Sequence, residues 1–315
     1  MTNRPLRLGT RRSALALVQS GLVAAAVTEA TGRPVELVEI TTFGDVSREA
    51  LSQIGGTGVF VNALRDALLA HEVDLAVHSL KDLPTAAAVG LALAAVPERE
   101  DVRDVLVARD QLKFADLPSG ARVGTGSARR AAQLRLLRQD VEVVPVRGNV
   151  DTRVGYVVKG ELDAVVLAYA GLSRLGRIGE ATDCFDPSEM LPSPGQGALA
   201  VECRAADAGL VAELAALDHA PTRAAVQAER ALLAALEAGC SAPVGGYAVA
   251  VGRELQLTGT VAEVEIATED VTPGTVPRSI RMSATGTVDE AERLGRELAA
   301  RMLDQGAAGL MGKQP

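Results

Sequence analysis

Five arginines stand where strand-like sequence turns into helix-like sequence, each beside glycines, hydroxyls or amides. Arg11 lies in Thr10-Arg11-Arg12-Ser13, and Arg129 and Arg130 close Thr125-Gly126-Ser127-Ala128-Arg129-Arg130. Arg147 and Arg153 bracket Arg147-Gly148-Asn149-Val150-Asp151-Thr152-Arg153, after the apolar run 141–146. Where a strand feeds a helix, free backbone N–H groups and the helix dipole favour an anion, and guanidinium groups add planar, two-pronged contacts to carboxylate or phosphate. A solvated helix face accounts for Arg135 or Arg138, but it does not explain arginines that recur at strand ends. These five predict a site for an anionic ligand.

Two further stretches carry chemistry-bearing groups. The apolar run Val73–Val77 ends in His78-Ser79-Leu80-Lys81-Asp82-Leu83-Pro84. Asp82 with Lys81 beside it reads either as a carboxylate for acid–base work or as a surface ion pair, and spacing does not choose between them. His78 reads as structural. Cys240 lies in the glycine- and proline-rich stretch Ala238–Gly246, within reach of a partner or cofactor, although a lone loop cysteine read by itself is incidental. Cys203, inside the apolar run Ala198–Cys203, reads as buried. The three cysteines form no CxxC pair and the three histidines no HExxH spacing, so neither a disulfide framework nor a metal site is expected.

The elements that must position these groups alternate. Leu6–Thr10 reads as a strand, Ser13–Ala30 as a helix, Val35–Thr41 as a strand, Val59–Ala70 as a helix and Val73–His78 as a short buried strand. Such alternation predicts parallel sheets with crossover helices. The glycine-rich stretch 42–58 between them reads as a lid or a plain connection. The pattern then repeats. Arg7-Leu8-Gly9-Thr10 resembles Arg122-Val123-Gly124-Thr125, and Glu72-Val73-Asp74-Leu75-Ala76-Val77 resembles Glu161-Leu162-Asp163-Ala164-Val165-Val166. Two matched pairs in one order predict two similar α/β domains. The last third changes character: helix Pro221–Glu237, strands Gly245–Gly252, Leu255–Ala262 and Arg278–Thr287, and helix Asp289–Leu303 predict a small α+β domain with a three-stranded antiparallel sheet.

Composition bounds the answer. The chain has 315 residues, 48% of them hydrophobic, with four Phe, three Tyr and no Trp, so a core of Ala, Val and Leu in two or three domains is expected. A net charge of −8 argues against a general nucleic-acid binder. Four of the 32 cationic residues are lysines, a skew that composition bias explains, so position and not number carries the arginine argument. Arg11-Arg12 before the apolar run Ala14–Val27 imitates a signal peptide, but Gln19 and Ser20 interrupt the run and a strand precedes it. No run reads as long and apolar enough for a membrane span.

Taken together, these segments resemble porphobilinogen deaminase, also called hydroxymethylbilane synthase. The stretches HSLKDLP, RGNVDTR, GQGALAVECR and AGCSAPVG carry the resemblance, and the matching segments span almost the whole chain. It implies two similar periplasmic-binding-protein-like α/β domains facing a cleft, plus the small C-terminal domain. The divisions are 1–99 with 198–217, then 100–197, then 218–315. It implies that Cys240 is joined by a thioether to a dipyrromethane cofactor. Four porphobilinogen molecules are then added head to tail with loss of ammonia, and hydrolysis frees hydroxymethylbilane. By motif match Lys81, Asp82, Thr125, Ser127, Arg129, Arg130 and Arg147 contact the cofactor, and Arg11, Ser13, Arg147, Arg153 and Gln196 contact substrate. Asp82 matches the catalytic aspartate, which stabilises the cation left by ammonia and takes up the proton released later. A cytoplasmic monomer with no nucleic-acid or membrane partner is expected. The glycine-rich stretch reads Gly55-Gly56-Thr57-Gly58 where the family often has a lysine, and Gly126 stands where serine is frequent. The rival readings are an anion receptor without catalysis, which leaves Asp82 and Cys240 unexplained, and a phosphate-handling transferase, for which no P-loop spacing exists.

Overall fold

The computed structural model of the chain describes residues 4–40, 59–239, 242–263 and 278–311. The stretch 42–58 and Cys240 therefore lie outside the described residues. Contacts divide the chain into two compact units, residues 1–100 with 197–223 and residues 101–196 with 224–315.

The first unit is built on a five-stranded sheet in the order β2-β1-β3-β10-β4. Its strands are β1 (Leu6–Thr10), β2 (Val35–Glu39), β3 (Leu75–Ser79), β4 (Leu91–Ala95) and β10 (Leu199–Arg204). The second unit holds a sheet of matching order, β7-β6-β8-β5-β9. Here the strands are β5 (Asp104–Ala108), β6 (Arg122–Thr125), β7 (Glu142–Pro145), β8 (Ala164–Ala168) and β9 (Asp183–Cys184). In each sheet four strands point the same way, while β10 or β5 runs antiparallel to both of its neighbours. The parallel sheets that the alternation predicts thus each carry one reversed strand. Hydrophobic runs report burial but not strand direction, and both antiparallel strands arrive from the stretches where the chain passes between units.

The repeat has a physical basis. Asp74 accepts the backbone N–H of Arg7 at 2.9 Å and returns its own N–H to Arg7 O at 2.8 Å. Asp163 does the same with Arg122, at 2.7 and 3.0 Å. Each aspartate fixes the entry of the third strand beside the first. The strand interiors repeat too: a Cβ on Gly9 would lie 3.2 Å from a Val73 methyl, and one on Gly124 would lie 2.6 Å from Leu162.

Both faces of β5 and β8 are covered, which is why they read as continuous apolar runs. Leu106 and Val166 join Val123 and Leu134 on one face, while Val105, Val107 and Val165 join Val154 and Leu172 on the other. In the first unit α1 (Ala14–Thr31) sends Val23 and Val27 into the core of Leu6, Leu8, Leu75 and Val201. By length and composition α1 would pass for a membrane span, contrary to the sequence reading. Four of its residues, Gln19, Ser20, Val23 and Val27, are buried, and a strand of the sheet leads into it. Ser13 proves to be its N-cap, accepting from Ala16 N, so the helix starts one residue later than expected.

The third sheet, β11-β12-β13 (Val244–Val251, Glu254–Ala262, Ser279–Thr287), is antiparallel as expected. Helices α7 (Ala220–Ala235) and α8 (Ala291–Asp304) cover it, with Leu232, Leu298 and Met302 packed on Leu255, Leu257 and Val261. The remaining helices used below are α2 (Val59–Leu69), α3 (Ala128–Leu137) and α4 (Val150–Val158).

Candidate active site

The turn from β6 to α3 is locally determined. Thr125 is buried and its Oγ1 accepts from Ser127 N at 3.2 Å, while Ser127 Oγ caps the helix by accepting from Arg130 N at 3.4 Å. This places Arg129 and Arg130 in the first turn of a helix, where the dipole is unfavourable for cations. Both are buried all the same, at 3% and 5% exposure. Asp104, wholly buried at the start of β5, compensates them. Its Oδ1 accepts from Arg130 Nε at 3.0 Å and Nη2 at 2.7 Å, and its Oδ2 lies 2.8 Å from Arg129 Nη1. Backbone oxygens complete the frame: Arg130 Nη1 donates to Val166 O at 3.0 Å, and Arg129 Nη1 to Leu191 O at 2.7 Å. Gln133 holds Leu191 in place through its O at 3.0 Å and its N at 2.7 Å.

Burial pushes the Asp104 carboxyl up, but the charges of Arg129 and Arg130 outweigh it and hold the group well below the usual carboxylate range. Burial lowers Arg129, Asp104 pulls it back, and Arg130 lowers it again. The buried Nε of Arg129 has no hydrogen-bond partner among the described residues.

The adjoining turn brings a third guanidinium. Gly148 has φ +101, a conformation that glycine adopts readily, and a Cβ there would lie 2.6 Å from Thr152. Asn149 caps α4 by accepting from Thr152 N at 2.9 Å, and Arg153 Nε donates to Gly148 O at 2.9 Å. The Arg153 pKa is lowered by burial first and by the charge of Arg130 second, so the two guanidiniums share one neighbourhood. Arg147, on the same turn, is exposed. Arg129 and Arg130 therefore share one carboxylate, Asp104, and Arg153 adds a third cation beside Arg130. That imbalance suits a ligand bearing several carboxylates.

In the other unit Asp82 sits on the 3-10 turn that follows β3, exposed, with Lys81 half-buried beside it. Leu80 N donates to Ala198 O at 3.0 Å, which anchors the turn. Thr10 is buried and accepts from Ser20 Oγ at 2.7 Å, Arg11 is half-buried, and Ser13 serves as the cap of α1. Behind the turn, His78 is buried 3.3 Å from Glu202 Oε2, and Arg65 of α2 grips Glu202 at 2.9 and 2.7 Å. Burial raises the Glu202 carboxyl, but His78 and Arg65 bring it down to about 2.

The structure thus groups Thr125, Ser127, Arg129, Arg130, Arg147, Arg153 and Gln196 in one unit and Arg11, Ser13, Lys81 and Asp82 in the other. Gln196 is buried, with its amide nitrogen on Val102 O at 2.7 Å and Asp104 Oδ1 at 2.8 Å. Its amide therefore serves the protein frame rather than standing open to solvent. Asp104, Glu202 and Arg65 escaped the sequence reading. The one signal for Asp104 was an acid heading the fully apolar run Val105–Ala108.

Residues 6–212 match the family model of the porphobilinogen deaminase dipyrromethane cofactor binding domain, and residues 223–304 match that of the porphobilinogen deaminase C-terminal domain. Porphobilinogen deaminase 1 of Streptomyces coelicolor is 62% identical over 327 residues, covering 100% of this chain and 99% of that one. The porphobilinogen deaminase of Thermobifida fusca is 59% identical over 316 residues, covering 98% and 96%. Among solved structures, a Salmonella typhimurium periplasmic binding protein with high arginine specificity aligns over 68% of this chain and 91% of its own, at 16% identity and a TM-score of 0.38.

Proposed function

The chain belongs to the porphobilinogen deaminase family, and from that premise we propose how its residues divide the work of joining porphobilinogen molecules into a linear tetrapyrrole. The observation that carries this reading is the buried Arg129–Arg130 pair on a single carboxylate, Asp104, with half-buried Arg153 beside Arg130 and the Arg129 Nε–H unpartnered among the described residues. Each pyrrole brings an acetate and a propionate, and a cluster with surplus fixed positive charge in a low-dielectric place binds such groups far better than exposed lysines would. The same surplus passes the test of fit for a dipyrromethane cofactor, which supplies the pyrrole carbon that accepts the first substrate.

Thr125, Ser127, Arg129, Arg130 and Arg147, with Lys81, hold the cofactor's carboxylates, and Arg11, Ser13, Arg147 and Arg153 hold the incoming pyrrole. In each addition the C–N bond of the protonated aminomethyl group breaks, its electron pair leaving with nitrogen as ammonia. A C–C bond to the acceptor ring forms, and that ring gives up one proton. Asp82 stabilises the cation on the pyrrole and receives the proton. Gln196 acts through Asp104. Cys240 is the thioether anchor. Three domains, with divisions 1–99 with 198–217, 100–197 and 218–315, are supported by the three sheets. The chain works in the cytoplasm as a monomer on a small-molecule substrate, without nucleic acid or membrane.

The deciding experiment is the intact mass of purified active enzyme. A mass above that of the bare chain by two linked pyrrole units, absent in Cys240→Ala and matched by an Ehrlich-positive pigment, is expected. Active protein of unmodified mass would overturn the reading.

A further inference from the structure

We propose that Asp104 is a positioning residue for the Arg129–Arg130 pair, setting the planes in which the two guanidiniums meet ligand carboxylates. The inference rests on the function proposed above, because it takes the pair to be ligand-binding.

The geometry is asymmetric in a telling way. Arg130 presents its Nε and Nη2 edge to Asp104 Oδ1 at 3.0 and 2.7 Å, and Nη1 to Val166 O at 3.0 Å. Three of its five N–H groups donate to acceptors in the protein, which fixes the plane and leaves the outer Nη1–Nη2 edge with capacity for one more carboxylate. Arg129 is held through Nη1, against Leu191 O at 2.7 Å and Asp104 Oδ2 at 2.8 Å, and its Nε is buried with no partner among the described residues. The two arginines therefore offer different edges, one outer and one lateral, and the single carboxylate between them determines which.

Asp104 is itself fixed. It begins β5, whose register against β8 pairs Asp104 with Ala168, and Gln196 Nε2 donates to its Oδ1 at 2.8 Å. An amide on neighbouring chain thus supports the carboxylate that supports the guanidiniums. A carboxylate is needed in this place. With Asn, either the amide oxygen faces Arg130 and the NH₂ confronts Arg129 Nη1 donor to donor, or the reverse. Two buried cations would then share no counter-charge.

The test compares wild type with Asp104→Asn, Asp104→Glu, Arg130→Gln and the Asp104→Asn/Arg130→Gln double variant. The readouts are the fraction of chains carrying the two-pyrrole mass, and KM and kcat for porphobilinogen. Asp104→Asn is expected to cut the loaded fraction by about fivefold or more and to raise KM by about tenfold in the chains that are loaded, with their kcat largely kept. A merely structural role would lower the amount of folded enzyme and leave KM of the survivors unchanged. Because Asp104 acts through the guanidiniums, adding Asp104→Asn to Arg130→Gln is expected to cost less than about twofold more. Wild-type loading and KM in Asp104→Asn, or independent multiplication of the two effects, would overturn the proposal. Should Asp104→Asn fail to fold, Asp104→Glu decides. This variant keeps the charge but moves it by one methylene, so a raised KM supports positioning and a wild-type KM refutes it. A wild-type enzyme without the two-pyrrole mass would instead sink the functional reading itself.

Discussion

Asp82 is exposed on a turn whose backbone is pinned by Leu80 and Ala198, so the side chain can be changed without disturbing a core. Asp82→Asn keeps shape and loses charge. Turnover is expected to fall by about 10²–10⁴-fold, the usual worth of a positioned acid–base group, with the two-pyrrole mass still present. Near-normal kcat in the loaded variant would remove Asp82 from the chemistry. Glu202 makes a different kind of claim. Its folded pKa of about 2 lies below the model-compound 4.5, so the native state binds fewer protons than the unfolded chain. The stability this provides is present above pH 4.5 and is lost as pH falls from there through 2. The full amount is on the order of 3 kcal/mol, of which about 2 kcal/mol is lost between pH 6 and pH 3, as urea midpoints at those two pH values would read. Glu202→Gln strands Arg65 and His78, so it is expected to be weaker at pH 6 and flatter across that window. A steep acid loss persisting in Glu202→Gln would assign the effect to another group, Asp74 first. Its carboxyl is raised by burial but brought to about 2 by Arg7 and Arg4.

At the scale of elements, the turn from β6 to α3 packs against the turn from β7 to α4, and at Gly126 the two backbones approach closely. A Cβ there would lie 2.5 Å from Val146 O, a backbone atom that cannot simply rotate away. Serine is frequent here in the family that the sequence resembles, but in this chain a serine must push apart the two turns that carry Arg129, Arg130 and Arg153. Gly126→Ser is expected to cost about 1–3 kcal/mol in urea unfolding and to raise KM rather than restore a contact. An unchanged urea midpoint would show that the turns give way freely. Strands, helices and their doubling were legible because apolar runs and the paired Arg-x-Gly-Thr and Val/Leu-Asp segments are local. The direction of β5 and β10 was not, since a buried strand reads alike in either sense. Nor was Asp104, whose meaning depends on residues 25 and 26 positions later in the chain, brought beside it only by the sheet. The five strand-end arginines were legible as anion-seeking, but which ones are buried and which exposed was not.

That split between buried and exposed cations has a consequence for the molecule as a whole. The chain carries a net charge of −8, so its distant field repels a dicarboxylate substrate, and only local arginines attract it. Salt acts on the parts unequally. Exposed charges are screened over a Debye length of about 10 Å at 0.1 M, whereas buried ones are screened much less. Arg147 is exposed, while Arg129 and Arg130 are buried against Asp104. Raising salt from about 0.05 to 0.5 M is therefore expected to raise KM for porphobilinogen by only a few-fold, with kcat steady and the covalent mass unaffected. Most of that sensitivity belongs to Arg147, so Arg147→Gln should show a higher KM at low salt and a flatter response. Arg130→Gln, by contrast, should have a raised KM whose salt dependence stays like that of wild type. A loss of affinity of about a thousandfold over the same range would mean that substrate is held by many exposed charges, as nucleic acid is, and would contradict a site built on the buried Arg129 and Arg130 sharing one carboxylate.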